Sequence, residues 1–432
     1  MKLFKNIRAW IKRRNINSWA LFFIFIYIIF TIKVVSLQQL DTNLIFATYS
    51  ILVSLYILSR FALAYLYIPE HAEFDSLYQP TVSFAVPSKN EGDHIYETII
   101  RIAKSKYPSH KFNIIAVNDG STDNTHSEML RARTDTLAGC GVDVVVVDWK
   151  INRGKREGMA ECVRRSKNDI MVFIDSDSFV EPATVQELVK YFSHDRVGAV
   201  AGHTYVANAD DNMLTRMQSV KYFVAFKAYK SAESLFGSVT CCSGCCSAYR
   251  RDYIAPLLDE WLTQKFLGVI CTYGDDRSLT NMLLKRGYIA AFSPTAIAYT
   301  FVPDSLKVYM KQQLRWKKSW FRENLKTSLF MWKRNPIMSL SFYMGFLLPL
   351  FAPIVVLRAM FWFPVMRQRL PIEYLFGLVV IAIVYGLYYY VYVKDRKWIY
   401  GALYSAFYSL ILIWQLPYAI LTIRDSRWGT RV

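Results

Sequence analysis

No internal repeat and no low-complexity tract interrupts this sequence, so neither a solenoid nor a disordered linker organises it. Charge is sparse as well: charged residues make up 20% of the chain against 53% hydrophobic. That is too apolar for a soluble enzyme and too polar for a bundle buried wholly in lipid, so part membrane and part aqueous domain is expected. Acids are the scarcer sign, and the formal balance is 52 − 34 = +18. No recognition helix, basic tail or RNA-binding signature accompanies that excess, so nucleic acid is not an expected partner. Anionic lipid and anionic substrates such as nucleotide diphosphates remain. Cysteines number seven, an odd count in a long chain, which argues against a secreted disulfide framework. Four of them form Cys241-Cys242-Ser243-Gly244-Cys245-Cys246, but the second pair that a zinc site needs is missing. Reduced, mostly buried thiols on a cytosolic face are the expectation.

What is present falls into zones. Residues 1–15 are rich in Lys and Arg and carry no acid. Apolar runs follow at 19–37 and 44–68, each near the ~20 residues that a bilayer crossing takes. Two runs in succession speak against a cleavable signal peptide. The basic start is expected to stay cytosolic, so two crossings return the chain to the cytosol near Pro69 and make 1–78 the first unit. From 79 to 300 short β-branched runs (81–86, 113–117, 142–147, 169–174) alternate with helical stretches such as 95–105 and 158–166. This spacing predicts an α/β domain with a mostly parallel sheet, in which ligands sit at the carboxyl ends of the strands. Residues 301–336, rich in Lys, Arg, Trp and Phe, suit amphipathic helices along the membrane surface. Within 337–423, further spans are expected at 337–357 and 374–393. Pro417 interrupts the last apolar stretch, 398–423, and the tail 424–432 holds three arginines, so a bent or re-entrant segment with a cytosolic tail is expected.

The strand ends carry the chemistry. Pro87-Ser88-Lys89-Asn90-Glu91 follows the first strand and Asn118-Asp119-Gly120-Ser121 the second. An acid and small polar residues there suit a nucleobase or ribose, or equally an Asx turn that opens the next helix. Asn152-Arg153-Gly154-Lys155-Arg156 offers three cations and exposed amides to a diphosphate, or a solvated basic turn. Asp175 and Asp177 in Ile174-Asp175-Ser176-Asp177 point the same way as a strand leaves the sheet, two hard oxygen ligands for Mg²⁺ or Mn²⁺. Gly274-Asp275-Asp276-Arg277 places two acids before a helix, as a general base or as a favourable first turn. In Gln312-Gln313-Leu314-Arg315-Trp316, the Trp is a membrane anchor or a platform for a sugar ring, with Arg315 on phosphate.

In this order the motifs closely resemble the processive family-2 glycosyltransferases, the group of cellulose, chitin and hyaluronan synthases, from about Val82 to the C-terminus. Gly274 to Asn281, Lys318-Ser319-Trp320-Phe321-Arg322-Glu323 and Trp428-Gly429-Thr430-Arg431 look like hyaluronan synthases. Ser243-Gly244-Cys245-Cys246-Ser247 departs from their usual Ser-Gly-Pro-Leu-Ser. The Cys241-Cys242 pair and Phe301-Val302-Pro303-Asp304 look more like rhizobial chitooligosaccharide synthases.

The resemblance implies a GT-A type α/β glycosyltransferase domain inserted between transmembrane helices of a multi-pass plasma-membrane protein. It implies that Asp119 holds uridine, with Lys155 and the Pro87, Asn90 and Glu91 turn beside it. Asp175 would approach the donor diphosphate, Asp177 would ligate Mg²⁺ (or Mn²⁺), and Arg315 would bind pyrophosphate. Asp276, with Asp275 beside it, would supply the base, and Trp428, Thr430 and Arg431 would close over the nucleotide. Trp316, Gln312, Gln313, Ser243, Gly244 and Arg250 would meet the acceptor. The implied reaction is a one-step inverting transfer from UDP-GlcNAc, with UDP-GlcA in the hyaluronan case, onto a growing polysaccharide that leaves through a membrane channel. A chitin-type synthase, single transfer to a lipid-linked acceptor, and a catalytically dead transporter or receptor are the alternatives.

Overall fold

The computed structural model describes residues 44–69, 74, 75, 77–368 and 370–426. The basic stretch 1–15, the expected span 19–37 and Trp428, Thr430 and Arg431 lie outside the described residues. Along the chain, helix α1 (Leu44–Leu66) precedes β1 (Val82–Ser88), α2 (Ile95–Ala103), β2 (Phe112–Asp119), α3 (Thr125–Cys140), β3 (Val144–Trp149), α4 (Lys155–Arg165) and β4 (Ile170–Phe173). Next come β5 (Ser178–Val180), α5 (Thr184–Val189), β6 (Val197–Val206), α6 (Met213–Val224) and β7 (Ser247–Arg250). A small hairpin, β8 (Lys265–Phe266) and β9 (Val269–Ile270), leads into α7 (Asp275–Lys285), β10 (Ile289–Thr300) and the 26-residue α8 (Leu306–Met331). The chain continues through α9 (Pro336–Leu357), α10 (Ile372–Val393), α11 (Trp398–Leu410) and α12 (Gln415–Leu421); shorter helical turns are left unlabelled.

The eight-stranded sheet has the order β3-β2-β1-β4-β7-β6-β10-β5. Its β1–β2, β2–β3, β1–β4 and β6–β10 pairs are parallel. The expected mostly parallel sheet is therefore present, with β7 inserted antiparallel between β4 and β6, and β5 antiparallel on β10. Alternation along β1 explains the two cores. Val82, Phe84 and Val86 pack with Ile95, Ile99 and Ile102 of α2, whereas Ala85 packs with Ile115, Val117, Met159 and Val163 on the other face. Buried positions of α2 recur at helical spacing (Ile95, Ile99, Ile102), and each contributes about 2 kcal/mol by burial. Ser88 lies opposite Asn118, and Asn118 opposite Asp148, so the carboxyl ends of β1, β2 and β3 share one edge. That edge carries the motifs.

Among the described residues, three helical segments are long and apolar enough to cross a membrane: Leu44–Leu66, Pro336–Met366 and Tyr374–Val393. Helices α11 and α12 satisfy that test only as a pair bent by 44°. Close approaches at glycine join these helices: a Cβ on Gly401 would lie 3.4 Å from Gly386 Cα, and one on Gly345 would strike the Tyr56 hydroxyl of α1. Asn335 caps α9 by accepting from the Ile337 N–H (3.0 Å), with Pro336 at the first helical position. Within 301–336 a single helix, α8, spans Leu306–Met331, and its buried side includes Gln313, Lys318, Arg322 and Glu323. It packs against α7 and α12 and so stands between the sheet domain and the apolar helices.

Candidate active site

Two loops at the shared edge form a single unit. Both Asp119 carboxylate oxygens accept backbone N–H bonds, from Arg153 (2.6 Å) and Gly154 (2.9 Å). Gly120 has φ +63, and a Cβ there would lie 2.6 Å from Asn152 N, so this turn admits only glycine. Asn118 donates to Asp148 (2.7 Å) and accepts from the Ser121 N–H. The 87–91 turn joins the same unit: Asn90, at φ 52, donates through its N–H to Ser121 Oγ and accepts from the Thr122 N–H (2.9 Å). The Glu91 N–H donates to Thr125 Oγ1 (2.8 Å), and Pro87 packs directly on Gly158 of α4. Asp119 thus pins the 152–154 loop to the end of β2.

Of the three cations in the 152–156 loop, one faces the acids that follow β4. Lys155 Nζ bonds Asp175 Oδ1; burial pulls this ammonium down, but the charge and hydrogen bond of Asp175, with Asp275 and Cys245, together outweigh it, so its pKa is raised above the usual lysine range. Arg153 lies over the Trp149 ring, 4.6 Å from its centroid. Arg156 turns into the interior, which corrects the expectation of a three-cation pocket. Neighbouring residues on a helix point about 100° apart, so Lys155 and Arg156 cannot share a target. Arg156 Nε pairs with Asp275 Oδ1 at 2.8 Å, and Nη1 donates to Trp261 O at 2.9 Å.

Asp275 and Asp276 divide in the same way. Asp275 is 6% exposed and committed to Arg156. It is therefore not available as a second base. Half-buried Asp276 accepts from its neighbour's backbone, the Arg277 N–H (2.7 Å), and from the Cys241 thiol (3.4 Å). Burial and then Asp276 push that thiol up to about 12, so it remains a protonated donor. Four residues on, the Cys245 thiol reaches Asp175 Oδ2 (3.5 Å), and a Cβ on Gly244 would sit 3.1 Å from Asp175 Oδ1. The cysteine loop therefore bridges the acids of β4 and α7, with Cys242 and Cys246 buried beneath it. Ser243 accepts from Lys230 Nζ (3.2 Å) on its outer side.

Helix α8 closes the pocket. Trp316 is 37% exposed, and its ring lies 6.3 Å from that of Tyr222 on α6. Burial, then Cys245, Asp177, Tyr309 and Asp175 raise the Tyr222 phenol well above its ordinary value, so the charges of both β4 acids act on Tyr222. Gln313 accepts from Lys221 Nζ at 3.2 Å. Burial raises the Tyr273 phenol above its ordinary value; Arg322 and, more weakly, Arg315 act the other way, and Tyr273 O accepts from Arg322. The Tyr273 hydroxyl and Lys318 both bond Asp425 O (3.0 and 3.2 Å), and Thr272 bonds Ser426 O, so the chain just ahead of Trp428 is fastened beside α7.

One expected residue lies elsewhere. Arg250 pairs in register with Ile170 at the start of β4, away from Asp175, and donates to Phe192 O (2.6 Å). It does not belong to the acceptor side of the pocket. Lys221 and Tyr222, by contrast, belong to no recognisable motif and only the fold brings them to Trp316.

Gly274 fixes how α7 meets α8. It has φ +79, and a Cβ on it would lie 1.9 Å from Ser319 Oγ. Gly274→Ala is therefore expected to destabilise the protein by about 2 kcal/mol or more, from left-handed strain plus overpacking. A lowered melting temperature of the detergent-solubilised protein checks this; an unchanged one would mean that α7 is not clamped here.

Comparison with known proteins agrees with this geometry. A mannosyltransferase of Pyrobaculum calidifontis, solved with GDP-Man and Mn²⁺, superposes with a TM-score of 0.58 at 21% identity, covering 84% of this chain and 98% of that one. The fold is accordingly the GT-A glycosyltransferase fold. An N-acetylglucosaminyltransferase of Azorhizobium caulinodans is 33% identical over 82% of this chain and 87% of its own length. A hyaluronan synthase of Streptococcus pyogenes is 30% identical over 94% of this chain and 96% of its own. The model of the glycosyltransferase like family 2 matches residues 80–319. An enzyme's pocket, a glycosyltransferase fold and relatives along nearly the whole chain agree, and the chain belongs to glycosyltransferase family 2.

Proposed function

We propose that the protein is a processive polysaccharide synthase of the cell membrane, with its transferase domain in the cytosol, that builds a hyaluronan-type chain from UDP-GlcNAc and UDP-GlcA. The observation that carries this reading is the 241–246 loop, which joins Asp276 to Asp175, while Trp316 packs beside Tyr222, a phenol on which the charges of Asp177 and Asp175 act. A donor diphosphate beside Lys155 and Asp175 and an acceptor stacked on Trp316 would then meet at Asp276. In the inverting transfer, Asp276 accepts the proton of the attacking acceptor hydroxyl as the anomeric carbon leaves the diphosphate. Lys155, bonded to Asp175, and Arg315 would face the negative charge of the departing UDP. Asp175 and Asp177 are half-buried, two hard oxygen donors of the kind that suits Mg²⁺ or Mn²⁺ shared with phosphate oxygens. A divalent ion held there supplies charge neutralisation for the diphosphate.

A UDP-GlcNAc-only, chitin-type synthase is the second reading. It is favoured by the N-acetylglucosaminyltransferase relative at 33% identity and by the Cys241-Cys242 pair. UDP release by the purified protein, given each donor alone and then both, separates the two. High-mass polymer only with both donors is the expected result, and sustained polymer from UDP-GlcNAc alone overturns it. Excess EDTA is expected to stop UDP release, with Mg²⁺ or Mn²⁺ restoring it; turnover that survives EDTA would sink the metal assignment.

A further inference from the structure

Helix α6 runs on into a π-helical stretch, Ala225–Lys230, wedged between the sheet domain and the apolar helices. Such stretches are rare and gather at functional sites. Lys221, four residues ahead of it, sits in unusual surroundings. Its Nζ stands 4.8 Å from the centroid of the Trp316 ring and 5.8 Å from those of Tyr222 and Tyr404. Its hydrogen-bond partner is Gln313 Oε1 at 3.2 Å, which uses one of three N–H donors. Among the described residues no carboxylate pairs with it, and burial alone pulls its ammonium down to about 8. The next cation, Lys317, is lowered to about 7 by burial and then by Lys221 itself. Two amide atoms beside them, Gln313 Nε2 and Gln312 Oε1, are buried with no hydrogen-bond partner among the described residues.

Enclosing a cation with no acid is costly unless something else arrives to meet it. Here that something is an anion of limited size and defined position. A sugar stacked on the exposed indole of Trp316 would direct its ring substituents toward Lys221 and the Gln313 amide. A neutral N-acetylglucosamine unit offers them no charge. A uronic acid unit offers a planar carboxylate, which can accept from Lys221 Nζ and Gln313 Nε2 together.

We propose that Lys221 and Gln313, beside the Trp316 ring, form a carboxylate subsite for a uronic acid unit of the growing chain. This deepens the two-donor reading above and rests on it for the nature of the polymer. The subsite makes Lys221 a specificity residue: it favours a chain whose units alternate between neutral and anionic.

The test measures binding of a glucuronate/N-acetylglucosamine tetrasaccharide and of chitotetraose to the full-length protein and to Lys221→Met and Lys221→Arg variants in detergent. Lys221→Met is expected to weaken the uronate tetrasaccharide about tenfold more than chitotetraose, in line with loss of a charge-assisted bond. Lys221→Arg keeps the charge and should keep most of the preference. Equal weakening of both ligands would make Lys221 a mere support for Trp316 and overturn the subsite, as would no weakening of either. Melting temperatures of both variants guard against misfolding, and the arginine variant carries the test should the methionine one unfold. Polymer formation by the unaltered protein is scored separately: failure to use UDP-GlcA overturns the two-donor reading, whereas a binding preference that ignores Lys221 overturns the subsite alone.

Discussion

Asp276→Asn is expected to lower sugar transfer by about a thousandfold while leaving the melting temperature where it was. Asparagine has nearly the same shape and keeps an oxygen for the Arg277 N–H; it exchanges the weak bond from the Cys241 thiol for an amide N–H facing that sulfur and loses the ability to take a proton. The carboxylate it replaces is half-buried, close to the Cys241 thiol and joined through the 241–246 loop to Asp175. UDP release with saturating donors, measured beside thermal unfolding, reads both halves of the prediction. Retention of more than a tenth of the activity would show that another group removes the proton.

Its neighbour should behave in the opposite way. Asp275→Ala strands the Arg156 guanidinium, which is 5% exposed and further held by Trp261 O, Gln264 Oε1 and Tyr273 O. Removing one partner of so enclosed a pair costs about 3–5 kcal/mol. Turnover would fall only as a consequence, because Arg156 ties the 261–273 stretch to α4. Adding Arg156→Met to Asp275→Ala takes away the stranded charge, so the double variant should be more stable than the single one. A melting temperature untouched by Asp275→Ala would sink this account of the pair.

These two acids also show where the sequence is readable. Apolar strand runs separated by helical stretches announce the sheet, because β-branched side chains reveal both faces of a buried strand. The acids and small residues that close those runs announce the edge where ligands bind. Boundaries were less visible: β2 reaches Asp119 because Asn118 and Asp119 pair with Asp148 and Trp149, a fact of register rather than of composition. A motif also hides the division of labour within it. Asp275 and Asp276, like Lys155 and Arg156, are adjacent letters whose side chains leave a helix about 100° apart, one toward the pocket and one toward the core. The antiparallel insertion of β7 carries Arg250 to the far end of β4, and nothing local announces a reversed strand. Lys221 was unreadable for a related reason. Its meaning comes from Trp316, 95 positions onward in the chain, and only the packing of α6 on α8 brings the two together.

The fastening of Asp425 and Ser426 onto Thr272, Tyr273 and Lys318 bears on how the molecule is made. Tyr273 and Asp425 are 152 positions apart, so this contact forms only after the last apolar helices have been synthesised and have found their places. The α/β unit, rich in shorter-range pairings, can assemble on the ribosome well before that moment. A nascent chain would therefore carry a folded sheet whose α7 margin is still unbraced. That margin, which leads into Asp275 and Asp276, is thereby braced last, once the helices that follow α8 are in place.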